Sequence, residues 1–178
     1  MVNSDDPASL VFHACMSLVA RSHQVILEET RFLYYGDDAQ IMNFIREEMA
    51  CLGDDMSPLQ KVRLLREDTL TNFIAQNANS RKVADMYPIP AQYTIISAED
   101  YRDIIGRDNS GWGRFYERFP NTNGVLEVSQ IGFDSTQTQA LICSGSMHGG
   151  CVGHGRNYLY QLTGDSWEFV GSGLAWIS

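Results

Sequence analysis

Apolar residues recur at three- and four-residue spacing through residues 7–106 and at two-residue spacing after position 123, which predicts helices first and strands later. Leu10, Val11, Ala14, Leu18 and Val19 make one stripe after Pro7, a residue suited to the first turn of a helix. Gln24-Val-Ile-Leu27 is a short β-branched run that reads as a first strand or an extended linker. Asp37 or Asp38 caps a second helix carrying Ile41, Met42, Ile45, Met49 and Leu52, and Gly53 ends it. Ser57-Pro58-Leu59-Gln60 is a capping box that starts another, with Leu59, Val62 and Leu65 on its buried face. Asp68 or Thr69 opens a further helix that turns Leu70, Phe73 and Ile74 inward. Tyr93 to Ile96 is strand-like, Ser97 starts a short helix closed by Gly106, and residues 111–119 form one more, stopped by Pro120.

From Asn123-Gly124 onward the pattern gives strands at Val125 to Phe133, Thr138 to Cys143, Arg156 to Thr163, and Trp167 to Val170, the last continuing toward Ile177. Short turns between strands predict an antiparallel meander, and helices grouped before it predict an α+β domain. The expectation is a single domain over residues 1–178, with 1–6 frayed, 7–106 mainly helical and 123–178 forming the sheet. The helices pack on one face of four to six strands, with cystatin-like or nuclear-transport-factor-like cones as the nearest analogies.

Charge narrows the partners. The chain carries 22 acidic against 13 basic residues, a net charge of −9, which argues against nucleic acid. Most acids stand in adjacent pairs such as Glu47–Glu48 and Asp54–Asp55, read as solvated helix caps rather than facing dyads. No run of about 18 apolar residues exists, so no membrane span is expected. The N-terminus has no signal-peptide character, and four cysteines are too few for a disulfide scaffold. The expected compartment is the cytoplasm, with reduced thiols.

Residues 143–155 concentrate the candidate chemistry. The spacing Cys143-x4-His148-x2-Cys151-x2-His154 could give zinc four nitrogen and sulfur ligands on a turn-rich loop, although it matches no standard finger. Other readings stay open. Cys143 is a core thiol, or it bridges to Cys151, or the glycines merely bend a long hairpin. Cys151 as a nucleophile with His148 or His154 as base is a further possibility. A phosphate cradle is disfavoured, because the glycines lead into a strand and offer no helix N-terminus.

The aromatic residues Trp112, Phe115, Tyr116, Phe119, Tyr158, Tyr160, Trp167 and Trp176 either form the core or line a small-molecule pocket, and both can hold. Arg114 and Arg118, four apart beside them, either grip an anionic group or pair with Glu117. His13 reads as a core histidine, and His23 follows ten residues later.

Gly111-Trp112, Phe115-Tyr116, Pro120, Gly124, Ser129, Gly132-Phe133, Thr138-Gln-Ala-Leu141, Gly150, Gly153, Gly155, Tyr158, Leu162, Trp167 and Trp176-Ile177-Ser178 together resemble a family of bacterial proteins with no assigned activity. In the first half, Val25-Ile26, Thr30, Thr69-Leu70, Phe73 and Asn77 carry the same likeness. The resemblance implies an α+β domain and supplies no catalytic residue; His148 and His154 are not part of its pattern. The expected function is small-molecule binding, extending to a cofactor-independent cyclase, isomerase or lyase with His148 or His154 and a carboxylate as acid and base. Zinc binding through the Cys/His run is the first alternative, and a non-catalytic module with an acidic helical face is the second. A small-molecule ligand and a second copy of the chain are the partners considered.

Overall fold

Helix α1 (Pro7–Val19) starts one residue after Asp6, whose Oδ1 accepts from the N–H groups of Ala8 at 2.9 Å and Ser9 at 3.1 Å. Asp6 is thus a helix cap rather than part of a frayed end. The computed structural model describes residues 5–19, 24–32, 34, 36–50, 65–106, 110–150 and 152–178. The expectations at His23, Cys51, Asp54–Asp55, Ser57–Gln60 and Cys151 lie outside the described residues.

Two of the remaining helices begin at the expected caps, Asp37 and Ser97, whereas the helix expected to open at Asp68 or Thr69 starts earlier, after Arg66 and with no side-chain cap. Before α2 (Asp38–Ala50), Asp37 and Gln40 exchange bonds, with Gln40 N–H donating to Asp37 Oδ1 at 2.9 Å and Asp37 N–H to Gln40 Oε1 at 3.1 Å. Helix α3 (Glu67–Gln76) turns Thr69, Leu70, Phe73 and Ile74 inward, and α4 is a single turn, Val83–Met86. Helix α5 (Ala98–Ile105) is capped by Ser97, which accepts from Asp100 N–H at 3.0 Å, and α6 is Trp112–Arg118.

One sheet of seven strands holds the described chain together: β1 (Gln24–Leu27), β2 (Tyr93–Ile96), β3 (Val125–Val128), β4 (Gly132–Phe133), β5 (Gln139–Gly149), β6 (Val152–Thr163) and β7 (Ser166–Ile177). Their order is β2-β1-β3-β5-β6-β7, with β4 also beside β5. The class is α+β and the meander β5-β6-β7 is antiparallel. The first strands depart from the expectation: β1 lies parallel to both β2 and β3. All four residues of β1 and of β3 are buried, which suits strands covered on both faces.

Helices cover both faces rather than one. On one face α1 sets Val11, Phe12, Cys15 and Met16 against Ile26, Leu126, Ala140, Ile142, Tyr158 and Tyr160. On the other, α2 and α3 set Ile41, Ile45, Met49, Leu70 and Phe73 against Leu141, Cys143 and Leu159. Helices α5 and α6 cover Val25, Leu27 and Val125 with Ile104, Ile105 and Phe115. Among the described residues no helix is long and apolar enough to cross a membrane.

Candidate functional site

The glycine-rich run is strand, not loop. Strands β5 and β6 continue through it, pairing Ser144 with Arg156, Gly145 with Gly155, Ser146 with His154 and Met147 with Gly153. Strand alternation therefore sorts the run onto two faces. Ser144, Ser146, His148 and His154 line the α1 side, while Cys143 packs with Leu141 and Leu159 on the α2 side. The histidines come together, with ring centroids 6.3 Å apart, and Cys143 stands on the opposite face from them. Cys143 is a free thiol, so it forms no bridge to Cys151. No three His, Cys, Asp or Glu side chains gather into a metal-holding group among the described residues.

The predicted aromatic wall is also divided. Trp112, Phe115 and Tyr116 belong to the cluster under α5 and α6, whereas Tyr158 and Tyr160 pack against α1 through the other face. Both arginines make contacts within the fold. Arg114 donates from Nε and Nη2 to the Ile104 carbonyl at 3.1 and 2.8 Å, tying α6 to the end of α5. The Arg118 guanidinium lies 5.6 Å from the Phe119 ring centroid.

The strongest concentration of unusual chemistry lies on the α2 face. There Arg31, Phe32, Tyr34, Gln40, Ile41, Phe44, Glu127, Ala175 and Trp176 line a cleft of about 740 Å³. Beneath its Trp176 wall the sheet is built of glycine. Across the ladder Glu127 of β3 pairs with Gly145, Gly145 with Gly155, and Gly155 with Trp176. The Trp176 indole lies flat over β6, where a Cβ would stand 2.1 Å from its Nε1 at Gly155 and 2.9 Å from its Cη2 at Gly153. Gly155→Ala is therefore expected to expel the indole and cost about 1–3 kcal/mol, read as a lower Tm and an altered near-ultraviolet tryptophan signal.

Glu127 is a carboxyl in apolar surroundings, only 8% exposed. Its one charged partner among the described residues is Arg31, whose Nε is 4.0 Å away and whose side chain is 47% exposed. Burial raises the carboxyl above its ordinary range, and Arg31 offsets this only in part. Tyr101 is pushed up to about 12, chiefly by burial and secondarily by the charge of Glu127. Deeper on the same face, Tyr34 donates its hydroxyl to Asn157 Oδ1, and both Tyr34 and Cys143 are held protonated mainly by burial. Asn157 Nδ2 and Trp176 Nε1 are buried without a hydrogen-bond partner among the described residues. Sequence reasoning missed Glu127, although one signal pointed to it: a lone charge inside the apolar run Val125-Leu-Glu-Val128.

A larger hollow, about 1160 Å³, lies between α1, α3 and residues 130–137. Its buried acid, Asp134, is committed to structure. It accepts from Thr138 N–H at 2.6 Å, Gln139 N–H at 2.7 Å and Thr136 Oγ1 at 2.5 Å, and it pairs with Arg66. These bonds outweigh burial and hold its carboxyl well below the usual range. Such a group is not poised for proton transfer near neutrality. No protein-family model, curated protein or solved structure matches the chain.

Proposed function

We propose that the protein binds a small, largely apolar organic molecule in the Glu127 cleft and exchanges a proton with it through that carboxyl, without a cofactor. The observation that carries this reading is Glu127 itself, a half-compensated acid opening into an aromatic-walled cavity. Phe32, Tyr34, Phe44 and Trp176 supply flat apolar walls, and Gly153 and Gly155 leave the room in which the Trp176 indole lies against the sheet. A carboxyl displaced upward is a better general base than an ordinary one. Many isomerase, cyclase and lyase reactions turn on such a proton exchange. The free, buried thiols Cys15 and Cys143 suit a reducing compartment such as the cytoplasm.

The test is equilibrium binding of a neutral aromatic fluorophore, Nile red, to the whole chain. Phe44→Ala is expected to weaken binding about tenfold or more by removing a wall, while Glu127→Gln retains it. Binding unaffected by Phe44→Ala would overturn the assignment of the cleft.

Glu127→Gln also has a pH signature. The folded pKa lies above the unfolded one, so the charged form is disfavoured in the folded state. That penalty is absent below the unfolded value near ~4.3, grows as pH rises toward the folded value and is fully present above it. The variant is expected to be more stable than the parent by about 0.5–2 kcal/mol at pH 7, with the difference vanishing in acid. Thermal unfolding across the pH range checks this.

A further inference from the structure

The sheet's other face carries a second constellation, independent of Glu127. His148 Nδ1 lies 2.7 Å from the Asn123 carbonyl oxygen, and its Nε2 lies 3.0 Å from Ser146 Oγ. A carbonyl can only accept, so the ring donates from Nδ1, and neutral imidazole then presents its lone pair on Nε2 to the serine hydroxyl. This is the nucleophile, base and orienting-acceptor order of acyl-transfer enzymes, with a backbone carbonyl as the third member.

The arrangement is held from several sides. Tyr116 donates its hydroxyl to the His148 carbonyl at 2.9 Å, fixing the backbone of that residue. Gly124 adopts φ +83, and a Cβ there would stand 2.0 Å from the Met147 carbonyl and 3.0 Å from His148 Nδ1. Only glycine lets the chain bring the Asn123 carbonyl onto the imidazole. A hollow of about 350 Å³ opens beside the pair, with Leu18, Leu126 and Tyr158 as its apolar lining. His154, the cross-strand partner of Ser146, lines the same hollow and can donate an N–H.

We infer that Ser146 and His148 form a nucleophilic site for small carboxylic esters. Ser146 Oγ attacks the carbonyl carbon as its proton passes to His148 Nε2. The adduct then collapses, the C–O bond breaks, and the leaving alcohol takes that proton. Water attacks the acyl-serine in the same way, giving one proton to Nε2 that returns to Ser146 Oγ as the carboxylic acid departs. The hollow is mostly polar, and the apolar side formed by Leu18, Leu126 and Tyr158 takes a short acyl chain.

The experiment treats the whole chain with a fluorophosphonate probe, maps the labelled serine by peptide mass spectrometry, and measures p-nitrophenyl butyrate hydrolysis. The expected result is labelling at Ser146, loss of both signals in Ser146→Ala, and a 10²–10⁴-fold slower labelling rate in His148→Gln. A chain unlabelled at saturating probe, label on a different serine, or His148→Gln reacting at the parental rate overturns the inference. Circular dichroism verifies that the variants fold. If His148→Gln does not fold, labelling of the parent at Ser146 decides the matter.

Discussion

Asp134→Ala is expected to destabilise the protein by about 3 kcal/mol, because it strips the acceptor from the buried Gln139 N–H and the half-buried Thr138 N–H. The Asp134 side chain is 2% exposed, and its oxygens organise the turn between β4 and β5 by accepting from Thr136, Thr138 and Gln139. The same carboxylate anchors Arg66, whose backbone N–H donates to Gln139 Oε1 at 2.8 Å, so the turn also fixes the start of α3. Its pH dependence runs opposite to that of Glu127. Here the folded pKa is lowered, so the contribution is fully present above the unfolded value near ~4 and lost as pH falls through the folded one. Asp134→Asn is accordingly expected to flatten the acid limb of stability against pH. Chemical denaturation of parent and variant between pH 2 and 7, a window on the order of the aspartate range and above, measures this. A parallel pair of curves would show that Asp134 is not the group responsible.

Gly132→Ala is expected to have an effect of similar size through a different cause. Glycine at this point lets α3 lie directly on β4. A Cβ there would stand 2.4 Å from both Cα and N of Phe73 and 2.5 Å from its Cβ. These are atoms of a helix backbone, which cannot swing aside as a side chain can. The helix must lift from the sheet, loosening the packing of Phe73, which is fully buried. A loss of about 3 kcal/mol is expected, at the upper end of ordinary overpacking. For a chain of this size that is a fall of roughly 6–12 °C in Tm. Gly113→Ala supplies the contrast, since a Cβ there meets nothing within 4 Å. It should change Tm little or raise it, as Gly113 lies within a helix.

The local elements were legible because their signals are local. Asp37 with Gln40 announces α2, Ser97 with Asp100 announces α5, and the β-branched runs at 24–27 and 93–96 are the strands β1 and β2. Pairing was not legible in the same way. Nothing in Val25-Ile26 specifies that its neighbours are Thr94-Ile95 on one side and Val125-Leu126 on the other. Parallel partners are joined through intervening helices and share no turn that could mark them.

The site was half visible for a related reason. Reading Gly145 to Gly155 as a loop made the Cys and His residues one cluster. Reading it as strand puts every second residue on the opposite face, which separates Cys143 from His148 and sets Ser146 beside His148. The aromatic residues were divided by the same alternation, since α6 and α1 cover different faces. Glu127 carried the plainest signal of all, a charge where only apolar residues belong.

The placement of β1 has a consequence during synthesis. This strand leaves the ribosome well before either neighbour exists, since its partners are Tyr93 to Ile96 and Val125-Leu126. At roughly 5–20 residues per second, Val25 waits about 5–20 s for Val125 to be made. Until Tyr93 to Ile96 are made the strand has no partner, and its second edge stays open for the whole interval, while β5, β6 and β7 can pair with one another as soon as they appear. The last strands made thus wait least for their partners. Helix α1, made before this strand and packed against Ile26 in the finished fold, is the element placed to cover it until the centre of the sheet closes.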